Sequence, residues 1–129
     1  MGQNVTNGTV NMSGSVQVQA SVTVPTGGTL VCVDLDSTGG TTDMYTVPAG
    51  KTLYITSAYA ALQTASGYTS VDADVTGTGT YVKIVSTLSV SPCSLSFPIA
   101  VTVPATKKVR NFVAGALGRT NAGFTGYII

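Results

Sequence analysis

From Val16 to Val24 an apolar residue stands at every even position (Val16, Val18, Ala20, Val22, Val24) and a polar one at every odd position between them (Gln17, Gln19, Ser21, Thr23). A period of two marks a strand with one buried face and one wet face. With Gly14 and Ser15 the stretch covers residues 14–24 and is long for a single strand. It predicts either two shorter strands or an arm laid along a neighbouring molecule. Residues 1–13 contain no Leu, Ile or aromatic residue and are expected to form an extended, weakly anchored tail.

A turn phrase recurs three times, in Val22-Thr23-Val24-Pro25-Thr26-Gly27-Gly28, Tyr45-Thr46-Val47-Pro48-Ala49-Gly50-Lys51 and Val101-Thr102-Val103-Pro104-Ala105-Thr106-Lys107, and the Gly in two copies allows a sharp exit. Proline lacks the N–H that a ladder needs and presets φ for the second position of a type I turn, so each phrase should end one strand and start the next. Between the phrases and the Gly/Ser breaks lie β-like segments at 29–35, 43–47, 52–62, 68–75, 80–90, 94–103, 107–117 and 122–129. Eight or nine short strands with regular turn signals predict an all-β sandwich or barrel. Residues 57–63 are Ala-rich enough for one helical turn, although Tyr54 and Ile55 favour strand. The apolar C-terminus, with Tyr127, Ile128 and Ile129, predicts a central or interface strand, because a frayed apolar end would expose a sticky edge. The domain reading is a tail and arm strand over 1–28 and a β-sandwich over 29–129.

Charge sharpens this picture. Only 9% of the residues are charged, Glu is absent and the net charge is +1, against about 25% charged residues in ordinary globular domains. Mean hydropathy is +0.35. Copies of such a chain repel each other little and have apolar area to cover, which points to self-assembly. No apolar run reaches the length of a membrane span, and the first residues lack the basic start and apolar stretch of a secretory signal. Cys32 and Cys93 stand in strand-like surroundings, either as buried free thiols or as a disulfide between neighbouring strands.

Candidate chemistry is sparse. Without His or Glu the chain lacks the usual general bases, the commonest zinc ligand and every Ser-His-Asp or Cys-His arrangement, so an enzyme is not expected and no cofactor is implied. Asp34 with Asp36, and Asp72 with Asp74, each place two carboxylates on one face of a strand. They are weak metal candidates beside the reading as solvated strand ends. Tyr59 and Tyr68, flanking the loop around residues 64–67, are the pair to inspect for stacking on a glycan. Lys107, Lys108, Arg110 and Arg119 cluster late but with only Phe112 nearby, which argues against nucleic acid. Three glycosylation-type sequons begin at Asn4, Asn7 and Asn11.

The phrase Val47-Pro48-Ala49-Gly50-Lys51 leading into Thr52-Leu53-Tyr54-Ile55, the Phe97-Pro98 lead into Val101, and the closing residues 123–129 together resemble a viral or phage-type single jelly roll. The resemblance spans residues 43–129. It implies a virion component (capsid, decoration or head-fibre subunit) acting as a homotrimer or larger closed assembly, with other virion proteins as partners. Two alternatives come from different classes. One is a carbohydrate- or receptor-binding module using loop Tyr and Asp residues. The other is a subunit of an extracellular filament that donates residues 14–24 as a strand to the next copy.

Overall fold

The computed structural model describes residues 23–37, 40–63, 67–88, 92–114 and 119–129. The tail, the sequons and residues 14–22 of the alternating segment lie outside the described residues, as does most of the loop 64–67. Eight strands follow one another: β1 (Thr29–Ser37), β2 (Thr42–Thr46), β3 (Leu53–Leu62), β4 (Tyr68–Ala73), β5 (Val82–Thr87), β6 (Cys93–Val103), β7 (Lys108–Ala114) and β8 (Thr120–Ile128). They form two four-stranded antiparallel sheets in the orders β1-β8-β3-β6 and β2-β7-β4-β5. Each sheet interleaves strands distant in sequence, which is the jelly-roll arrangement of two Greek keys. The expected all-β sandwich of about eight antiparallel strands is present. The Ala-rich stretch 57–62 is strand, because Ala58, Ala60 and Leu62 alternate inward with Tyr59 and Ala61 outward.

Alternation sets the core. Val31, Leu53, Ile55, Ala58, Ala60, Ala122 and Phe124 from the first sheet meet Val71, Ala73, Val85 and Val109 from the second, all buried. Phe124 is the largest fully buried side chain and meets the Tyr45 ring edge-on, with centroids 6.0 Å apart. One polar group bridges the sheets. Asn111 of β7 is wholly buried and donates from Nδ2 to Thr69 Oγ1 (2.8 Å) and to the Ser70 carbonyl (3.0 Å), while its Oδ1 accepts from Thr120 of β8 (3.5 Å). Such a group is tolerated inside only because its bonds are made.

The three proline phrases do form turns, but with a different placement from the expected one. The proline is the first residue, not the second: the carbonyls of Pro25, Pro48 and Pro104 accept from the amides of Gly28 (2.9 Å), Lys51 (3.2 Å) and Lys107 (3.2 Å). The third residue has positive φ in each, at Gly27 (84°), Gly50 (76°) and Thr106 (68°). Positive φ there belongs to a type II turn, not type I. The C-terminal strand is central, as expected: β8 lies between β1 and β3, and Ile129 continues its ladder through paired bonds with Thr52.

Candidate functional site

The outer face of the β1-β8-β3-β6 sheet gathers several of the residues singled out in the sequence. In register across β1, β8 and β3, Leu30 meets Tyr127 and Tyr54, Cys32 meets Thr125 and Ser57, and Asp34 meets Gly123 and Tyr59. Tyr54 and Tyr127 stack with centroids 5.1 Å apart. The Tyr59 ring crosses β8 above Gly123, where a Cβ would lie 2.5 Å from Tyr59 Cε1 and equally close to the Val33 carbonyl. Glycine at 123 is therefore what lets the ring lie against the sheet.

Across that glycine the Tyr59 hydroxyl donates a short hydrogen bond to Asp34 Oδ1. Asn121 donates to both carboxylates of the Asp34–Asp36 pair, at 2.7 and 2.8 Å, and Arg119 stands 3.9 Å from Asp36. The bond from Tyr59, and then that from Asn121, hold the Asp34 carboxyl below its usual range. Burial, with the Asp34 bond second, pushes the Tyr59 phenol up. The like charges at positions 34 and 36 are thus offset by an amide and a guanidinium of this chain. Among the described residues no group of three or more His, Cys, Asp or Glu side chains is placed to hold a metal ion.

Asp72 and Asp74 have other work. Asp72 is buried beside Arg110 (3.8 Å) and accepts from Ser70 (2.6 Å). Asp74 is buried and accepts from the amides of Gly77 and Gly79, both at 2.9 Å, organising the loop after β4. Tyr59 and Tyr68 are not brought together, because β3 and β4 belong to different sheets and the rings lie on opposite outer faces. Tyr68 instead meets Phe112 edge-on at 5.9 Å, with Lys83 over its ring.

Cys32 and Cys93 are free. They stand on β1 and β6, the two edges of one sheet with β8 and β3 between them. Three strand spacings amount to roughly 14 Å, beyond the reach of a disulfide. Their side chains also face opposite ways: Cys32 is exposed outside, whereas Cys93, opposite Ala60, packs against the core. The pairing of neighbours allowed by the sequence does not occur within the chain.

Two features went unread in the sequence. Beside Tyr59, a depression of about 360 Å³ is lined by Ser57, Ala58, Tyr59, Ser94, Leu95, Ser96 and Thr125. Its residues come from three strands whose pairing no local pattern reveals. The second feature is the contrast among sheet edges. β1 carries Asp34 and Asp36, β2 carries Asp43, and β5 carries Lys83, whereas β6, the longest strand at eleven residues, carries no charge at all. Leu95 is 45% exposed there and Ile99 87%. Pairing of β6 with β3 jumps from Val101–Ile55 to Ser96–Ser57, so residues 97–100 bulge opposite Thr56.

No family model matches the chain, and no curated protein matches it. A solved structure described under "Bacillus endospore appendages form a novel family of disulfide-linked pili" is similar, with 17% identity, 92% of this chain and 96% of that chain covered, and a TM-score of 0.45.

Proposed function

We propose that this chain is a non-enzymatic structural subunit that assembles with its own copies, and that residues 14–24 of one copy add as a strand to the open β6 edge of the next. The observation that carries this is the uncharged, apolar β6 edge, where among the described residues the other three sheet edges each bear charge. Edge strands are ordinarily guarded by charged side chains, since unpaired N–H and C=O groups are a template for another chain. Here an edge without charged side chains, interrupted by Pro98 and the bulge at 97–100, and an alternating segment of matching length occur in one sequence. Strand addition supplies main-chain hydrogen bonds along the edge and pockets for alternate side chains. A donor that reaches the next copy makes a head-to-tail contact, which builds a filament unless rotation closes it into a ring.

The virion reading stands on jelly-roll topology, and a fold of this kind hosts capsid proteins and lectins alike. Filament and closed shell are separated by the same experiment. The full chain and a variant lacking residues 1–24 are compared by light scattering and electron microscopy, with circular dichroism to show that both keep their β structure. The expected result is linear polymers from the full chain and folded monomers from the truncated one. Closed oligomers of fixed size in both samples would overturn strand donation and favour the shell.

A further inference from the structure

We propose that the depression beside Tyr59, on the outer face of the β1-β8-β3-β6 sheet, is a binding site for a neutral oligosaccharide. The chemistry of its lining defines the ligand class. None of its seven lining residues is charged, so nothing there would hold a phosphate or sulfate, which calls for cationic donors. Leu95 and Ala58 are its only aliphatic members, too few for a lipid or other largely apolar ligand. What remains is hydroxyl-rich: Ser57, Ser94, Ser96 and Thr125 line the depression.

Tyr59 adds the apolar surface on which the face of a sugar ring packs. Its orientation is built in by the space over Gly123 and the bond to Asp34 at the far end of the ring. An aromatic platform beside several hydroxyls is complementary to a molecule that alternates C–H faces with O–H edges. The Asp34 carboxylate, just beyond the ring and fixed by Asn121, offers further acceptor capacity to sugar hydroxyls. The lining strands β8, β3 and β6 lie side by side, so a ligand in the depression runs across the strands. A donated strand instead runs along β6, whose residues 94–96 also line the depression, so the ligand meets β6 from the sheet face and the donor meets it from the edge.

The test is isothermal titration of the full chain, in whatever assembly state it adopts, with three neutral hexasaccharides: cellohexaose, laminarihexaose and chitohexaose. At least one is expected to bind. Tyr59→Ala and Ser96→Arg, the latter filling the depression from an exposed outward position, should each weaken that binding at least tenfold, while Tyr68→Ala on the opposite sheet leaves it unchanged. If Tyr59→Ala fails to fold, Ser96→Arg decides alone. Absence of binding to all three sugars, or binding untouched by Ser96→Arg, overturns the proposal. Competition by a synthetic peptide of residues 14–24 would assign the depression to the arm and overturn it equally.

Discussion

At the scale of single residues, the most exposed piece of strain is Thr106. It takes positive φ (68°) where the other two proline turns use glycine, and a β-branched residue there costs of order 1 kcal/mol or more. Thr106→Gly is expected to stabilise the protein by about 1 kcal/mol, read as a higher midpoint in urea. Asn111 predicts the opposite sign: Asn111→Ala removes donors from the buried Thr69 hydroxyl and Ser70 carbonyl and should cost about 1–3 kcal/mol. Asp34 titrates below its ordinary value of 3.8, so its bonds stabilise the fold above the unfolded pKa. That contribution is lost as pH falls through the lower, folded pKa. An NMR titration should show the Asp34 midpoint below 3.8 in the native chain and nearer to it in Tyr59→Phe. The sequence located the proline turns, but their type was carried by the glycines two residues later, at 27 and 50, and in the third turn nothing local announced that a threonine would take that place.

At the scale of elements, strand positions were largely legible because alternation and turn residues are both local signals. Every expected segment from 29–35 to 122–129 contains or overlaps an observed strand. Ends moved where tertiary pairing decided them: β1 runs on past the expected 35 to Ser37, and β8 begins at Thr120, ahead of the expected 122, because those two residues pair, while the expected ends at 90 and 117 lie outside the described residues. The β6 bulge was not legible, since Pro98 announces a break in the ladder without saying how many residues it ejects. Pro98 also fits an edge strand. If the bare β6 edge receives the donor, then Leu95→Lys supplies the charge the other edges already have. It should reduce polymer formation sharply while leaving the β spectrum intact, as seen by sedimentation.

At the scale of the whole molecule, the pairing of distant strands decides what the sequence could only suggest. Local pattern placed Tyr59 and Tyr68 around one loop, but the chain crosses from one sheet to the other between them and sends them to opposite faces. The same topology separates Cys32 from Cys93 on opposite edges. Mild oxidation should leave both thiols unlinked within a chain, and a thiol reagent should label exposed Cys32 faster than half-buried Cys93, a difference mass spectrometry resolves. Asp34 with Asp36 and Tyr59 were visible as candidates, whereas Asn121, Gly123 and the serines around the depression acquire meaning only once β1, β8, β3 and β6 lie side by side.

Strand donation is most directly tested by hydrogen exchange on the chain lacking residues 1–24, with and without a synthetic peptide of residues 14–24. Addition of the peptide is predicted to slow exchange in Cys93–Val103 and to leave the edges β1, β2 and β5 unchanged. Unchanged exchange in β6, or protection appearing on one of the charged edges instead, would contradict the account.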